Sequence, residues 1–178
     1  GRFSPFVSDG QLGYVLRPDW NGWHSHTDYH VSVRTNSLGM RGREPEPASA
    51  VSPSRFRILV LGDSFAFGFG VADGESFPQV LEHRLQAKGV SVQVLNAGVP
   101  GYSFDHHLIF LRKRLAELEP DLVVIAACEN DIDDLAWSAL DLGNDRLPEA
   151  TRSRLRLVDR HGRLQYVNPD GVSLPQWI

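Results

Sequence analysis

Hydrophobic positions from residue 55 onward begin as short unbroken runs: Phe56 to Leu61, Val92 to Leu95 and Leu122 to Ala127. Runs of this length, with no polar alternation, are the pattern of parallel strands covered on both faces. The intervening segments switch to helical spacing. After Ser76-Phe77-Pro78-Gln79, which reads as a capping box with proline in the first turn, Phe77, Val80, Leu81 and Leu85 make an apolar stripe that ends at Gly89. After Ser103, the residues Phe104, Leu108, Leu111, Leu115 and Leu118 recur at alternating steps of four and three, and Pro120 closes the segment. Strand, helix, strand, helix, strand predicts an α/β fold with an open, doubly wound parallel sheet. Such sheets bind ligands off the carboxyl ends of their strands.

The flanks follow other patterns. Upstream, strand-like pieces near Gly13 to Leu16 and Tyr29 to Thr35 precede a turn-rich Asn36-Ser37-Leu38-Gly39, and prolines 45, 47 and 53 mark a linker. Residues 1–50 are therefore expected to form an extended arm or small β appendage with its linker, and 51–178 the α/β domain. Residues 154–167, RLRLVDRHGRLQYV, predict a hairpin outside the main sheet, turning at His161-Gly162.

Composition narrows the function classes. The 178 residues suit one core, and 42% hydrophobic and 22% charged residues with a net charge of −4 argue against a disordered chain or a basic nucleic-acid surface. Nucleic acid is not an expected partner. The longest apolar run, Leu122 to Cys128, is far too short for a membrane span. Cys128 is the single cysteine, which excludes an internal disulfide framework and a cysteine-based zinc site. It leaves the compartment open, export from a bacterial cell included. The start at Gly1 and the stop after a Pro-Asp-Gly turn give the expectation of a chain cut at both ends.

Candidate chemistry gathers at one edge. Three residues past the last apolar residue of each run stand Ser64, Gly98 and Asn130. A parallel sheet places these loops side by side, so a hydroxyl, a backbone N–H and a side-chain amide converge. A nucleophile with donors for an oxyanion is the equipment of acyl transfer. Asp63 and Asp131 read as loop-organising acceptors for backbone N–H groups.

Gly62-Asp63-Ser64-Phe65, then Asn96-Ala97-Gly98, then Asn130-Asp131 resemble the first three blocks of the SGNH (GDSL) hydrolase family, and Asn36-Ser37-Leu38-Gly39-Met40-Arg41-Gly42 resembles a lead-in of its bacterial members. The resemblance implies a flavodoxin-like, three-layer αβα fold. It also implies Ser64 as nucleophile, and an oxyanion hole from the Ser64 and Gly98 backbone N–H groups and the Asn130 amide. No metal or organic cofactor is implied, and the substrate would be a small acyl or carbohydrate ester. Cys128 departs from the family's Gly-x-Asn-Asp block, standing at its glycine position.

The family's last block, Asp-x-x-His, is missing. Residues three places before the seven histidines are Asn21, Trp23, Thr27, Val80, Ser103, Phe104 and Val158. Serine needs a histidine base, and its loss costs on the order of 10⁶ in turnover. One reading is a fragment with further strands and the base beyond Ile178, which would also cover the hydrophobic Leu122 to Ala127 strand. Another is substitution by His106 or His107, with Asp105 adjacent, against a solvated first-turn pair. An acyltransferase and a non-catalytic carbohydrate-binding domain are the functional alternatives.

Two rivals come from other chemistry. His24-Ser25-His26-Thr27-Asp28-Tyr29-His30, taken as one strand, lines up three imidazoles and is similar to the His-x-His-x-Asp-His metal motif of metallo-β-lactamases, with one residue too many. Gly68-Phe69-Gly70 follows a strand, but Asp73 stands where a dinucleotide fingerprint has its third glycine.

Overall fold

The computed structural model describes residues 5–46, 55–129 and 131, together with the backbone of 156–160 and 163–167. Its centre is a parallel three-stranded sheet of β5 (Phe56–Gly62), β6 (Val92–Gly98) and β7 (Leu122–Ala126), in the order β6-β5-β7. Among the described residues it is accompanied by the helices α1 (Ser64–Phe67), α2 (Phe77–Ala87) and α3 (Phe104–Leu118). This is the α/β architecture of the sequence pattern, with β5 in the middle because its side chains are buried on both faces. Leu59 and Val60 are both 0% exposed.

Alternation along β5 divides the core. Ile58 and Val60 join Val92, Val94, Leu81 and Leu85 on the α2 side. Leu59 and Leu61 join Phe67, Leu95, Ile109 and Phe110 on the α3 side.

The helices form where predicted, but their buried faces are rotated. Phe77 and Leu115 are exposed, whereas Glu82 is buried. Glu82 lies inside because it is satisfied there, accepting from the Val94 N–H at 3.1 Å and pairing with Arg43 at 3.0 Å. In α3 the buried set includes Asp105, His106, His107, Ile109 and Phe110. His106 and His107 are therefore not a solvated pair. The predicted capping box of α2 also differs: the Ser76 hydroxyl bonds the Gln79 side chain and makes no cap bond to the backbone.

The N-terminal region is two antiparallel hairpins, β1 (Phe6–Asp9) with β2 (Gly13–Leu16) and β3 (Asn21–His26) with β4 (Tyr29–Arg34). Its Leu12, Leu16, Trp20, Val33 and Met40 lie in the same core cluster as Leu59 and Leu61. Tyr14 donates to the Pro100 carbonyl at 2.8 Å, tying the first hairpin to the loop after β6. The expected C-terminal hairpin pairs β8 (Arg156–Arg160) with β9 (Arg163–Val167). Its predicted turn, His161-Gly162, lies outside the described residues.

Candidate active site

Register fixes the edge. Gly62 pairs with Gly98 on one side and with Ala126 on the other, so the three strands end level. The Val99 N–H donates to the Gly62 carbonyl at 3.0 Å and binds the β6 loop to the strand that leads to Ser64.

Ser64 is the first residue of α1, and Asp63 is its N-cap. The Asp63 carboxylate, fully buried, accepts the Phe65 N–H at 2.9 Å. It occupies the capping role that a serine at the strand end could otherwise have filled. Ser64 is half-buried and opens onto a groove of about 410 Å³, whose lining includes Phe65, Phe69, Val71, Glu75 and Phe77. The three phenylalanines are 69%, 51% and 42% exposed. As first residue of a helix, Ser64 holds one of the orphan N–H donors and presents it at the positive end of the turn.

Gly98 is placed differently from the sequence expectation. It is the last residue of β6, not a loop residue, because Asn96, Ala97 and Gly98 continue the pairing with Val60, Leu61 and Gly62. Its N–H donates to the Asn96 side-chain oxygen at 3.0 Å and so is already taken. Its lack of a side chain serves packing: a Cβ there would lie 2.3 Å from the Phe67 nitrogen. Three residues on, Gly101 adopts φ +81° in the turn closed by the Tyr102 N–H and the Val99 carbonyl. The Gly101 N–H meets no protein acceptor among the described residues. Val99-Pro100-Gly101 carries the composition of such a tight turn.

Asn130 lies outside the described residues. The neighbouring Asp131 is fully buried and accepts the Cys128 N–H at 2.7 Å, bending the chain at the end of β7.

The two α3 histidines are held in the interior. His106 Nδ1 lies 3.0 Å from Asp105 Oδ1 and 3.3 Å from the Ser103 hydroxyl, with the ring stacked on Tyr102 at 4.6 Å. Burial alone would raise the Asp105 carboxyl, but the bonds from His106 and Ser103 outweigh it and hold the group below its ordinary value. Burial, then the charge of His106, push His107 down to about 4, against the opposing pull of Asp105 and Asp63. Among the described residues neither His107 nitrogen has a hydrogen-bond partner, nor has His106 Nε2. Neither imidazole is hydrogen-bonded to Ser64.

The histidine-rich stretch is not a single strand. It turns at Thr27-Asp28, so His24 and His26 share one face while His30, opposite Ser25, occupies the other. His30 stacks on Trp23 at 4.5 Å, and His24 packs edge-on against Phe69 at 4.2 Å. No group of three metal-ligating side chains occurs among the described residues.

The profile of the GDSL-like Lipase/Acylhydrolase family matches residues 60–172. The chain belongs to this family. Among similar proteins, an arylesterase of Vibrio mimicus is 35% identical over 83 residues, 47% of this chain and 42% of the relative. Esterase TesA of Pseudomonas aeruginosa is 35% identical over 74 residues, 42% of this chain and 37% of the relative. The chain thus spans less than half the length of the curated relatives it matches. Solved structures similar to it include AlinE4, described as an SGNH-hydrolase family esterase, at 29% identity and TM-score 0.41 over 50% of this chain and 52% of that one. The crystal structure of TesA matches at 35% identity and TM-score 0.40 over 42% of each chain. For this chain the match establishes family membership. No helix among its described residues is long and apolar enough to cross a membrane.

Proposed function

We propose that this GDSL-like acylhydrolase hydrolyses esters through an acyl-enzyme on Ser64. One observation carries the reading: a serine begins a one-turn helix at the carboxyl end of the central strand and lines an open groove. In the proposed reaction the Ser64 hydroxyl attacks the ester carbonyl, and its proton passes to a histidine. The resulting oxyanion is met by the Ser64 N–H, the Gly101 N–H and the Asn130 amide. The alcohol leaves with a proton from that histidine, and water then releases the acyl group by the reverse sequence of proton transfers. The donor set keeps Ser64 and Asn130 and moves the third place from Gly98 to Gly101, because the Gly98 N–H is engaged by Asn96.

The apolar wall of Phe65, Phe69, Val71 and Phe77 favours esters with an aryl or extended acyl group over acetylated glycans. No histidine of these 178 residues has an aspartate three places before it, so the base of the proposed reaction is assigned to none of them. That absence equally supports a second reading, a domain that binds acylated ligands without turnover.

The deciding experiment treats the full-length protein and its Ser64→Ala variant with a nitrophenyl butyrate and a fluorophosphonate probe. Turnover and labelling are expected in the first and in neither assay for the second, while residues 1–178 alone are expected to be slower by on the order of 10⁶. A full-length protein that neither turns over nor labels supports the binding domain; turnover surviving in Ser64→Ala sinks the nucleophile assignment.

A further inference from the structure

Arg41 is the largest fully buried side chain among the described residues, and its polar groups converge on the segment that carries Ser64. Nη1 donates to the Phe67 carbonyl at 2.7 Å and also to the Gly68 carbonyl, and Nη2 donates to the Val71 carbonyl at 2.6 Å. The guanidinium lies 4.8 Å over the Phe67 ring, and Asp73 balances its charge at 3.6 Å while also pairing with Arg34 at 3.1 Å. The backbone of the same residue reaches the second loop: the Arg41 N–H donates to the Asn96 carbonyl at 3.1 Å, and Asn96 holds Gly98.

These bonds answer a specific need. α1 is a single turn, and a helix of that length does not hold itself together. Its own cap serves the early carbonyls, with the Gly68 N–H bonding Ser64 and Phe65. The carbonyls of Phe67, Gly68 and Val71 fall beyond that cap, in a turn whose first two residues are buried, and a planar fork with five donors can take all three.

We propose that Arg41 is a positioning residue for Ser64, a clamp from the N-terminal segment that fixes the pitch of α1 and hence the direction of the nucleophile. The inference rests on the ester-hydrolase reading of Ser64 and deepens it. Arg41 lies outside the residues 60–172 that define the family match, so the clamp belongs to the segment preceding that domain. Asp73 sets the guanidinium in place, and Gly68 leaves it room: a Cβ at Gly68 would come within 2.8 Å of Nη1.

The test compares Arg41→Lys with Arg57→Lys in the full-length protein. Arg57 is also a buried arginine on backbone carbonyls, bonding Leu118 and Glu46 at 2.7 Å each, but it sits at the start of β5, away from Ser64. Lysine keeps the charge and loses the fork. Arg41→Lys is expected to raise amide hydrogen exchange in residues 64–71 and to lower kcat per folded molecule about 10²-fold, with KM little changed. Arg57→Lys is expected to lower thermal stability and leave kcat alone. Unchanged exchange over 64–71 overturns the clamp; raised exchange with wild-type kcat, or an equal kcat loss in Arg57→Lys, overturns its catalytic role. Ser64→Ala run alongside separates failures, because turnover surviving there strikes the ester-hydrolase reading while the exchange data still decide the clamp. If Arg41→Lys does not fold, Asp73→Asn takes its place, with a smaller kcat loss in the same direction expected and an unchanged kcat counting against the proposal.

Discussion

Gly98 passes so close under Phe67 that a methyl group built on it would stand 2.3 Å from the Phe67 nitrogen and 2.8 Å from the Ala66 Cβ. The contact is backbone on backbone, so no side-chain rotation relieves it. Gly98→Ala keeps the N–H and its bond to Asn96, yet it must push α1 off the sheet. We expect a stability loss of about 1–3 kcal/mol, the usual cost of forcing a group into a packed core, with a fall in Ser64 labelling. Urea denaturation and fluorophosphonate labelling check it; an alanine variant of wild-type stability would mean that the two segments do not meet as described.

His107 gives the protein a pH dependence with a definite sign. Its folded value of about 4 lies below the ordinary 6.5, so between those limits the unfolded chain binds more protons and stability rises with pH. The contribution is complete above about 6.5 and is lost as pH falls toward 4. Its size is at most about 3 kcal/mol from 1.36 kcal/mol for each unit. The facing charges are His106, Asp105 and Asp63, and of these Asp105 keeps its charge over most of the window because its own value is lowered. His107→Phe is expected to flatten the profile of denaturation midpoints measured between pH 7 and 4.5. A slope equal to that of the parent protein would show that another group carries it.

Much of the fold was legible because β5, β6 and β7 leave unbroken apolar runs, those of β5 and β6 buried on both faces. What escaped the sequence was phase and partnership. A stripe of leucines on α3 says that one face is buried, but the buried face rotated to include Asp105 and His106, whose mutual bond is invisible to hydropathy. β3 was hidden because Asn21 to His26 is mostly polar and exposed, and its partner β4 supplies the apolar Val31 and Val33. At the site, Ser64 was readable from the abrupt end of a strand. The commitment of the Gly98 N–H to Asn96 was not, since a side-chain-to-backbone bond two residues long leaves no trace in composition. Arg41 stood in the sequence only as part of the Asn36 to Gly42 stretch, with no role of its own.

The groove beside Ser64 leads to a selectivity experiment. Phe69 is braced from behind by His24 and by Tyr29, whose ring centroid is 6.3 Å away, so its exposed face is held rigid toward the groove. A rigid apolar wall rewards a long acyl chain and is indifferent to an acetyl group. In the full-length protein, Phe69→Ala is expected to lower kcat/KM for a nitrophenyl octanoate by roughly 10- to 100-fold, the equivalent of 1.5–3 kcal/mol of apolar contact, and to spare the acetate. Equal losses on both esters would place Phe69 in the support of Ser64 and not in the acyl site.

β7 pairs with β5 along one side, and among the described residues nothing pairs with the other. Leu122 and Ile125 are 45% and 46% exposed, on opposite faces of the strand. An uncovered hydrophobic edge is a template for pairing with a second chain, and a lysine on it is the common protection. Residues 1–178 are therefore expected to self-associate with rising concentration, and Ile125→Lys is expected to suppress this in sedimentation velocity. In the full-length protein the same substitution should act in the opposite sense if a further strand covers β7, because the ammonium would then be buried without a partner, at a cost of several kcal/mol. An Ile125→Lys variant that leaves both proteins unchanged would show that this edge neither pairs nor packs, and the requirement for another strand beside it would go with it.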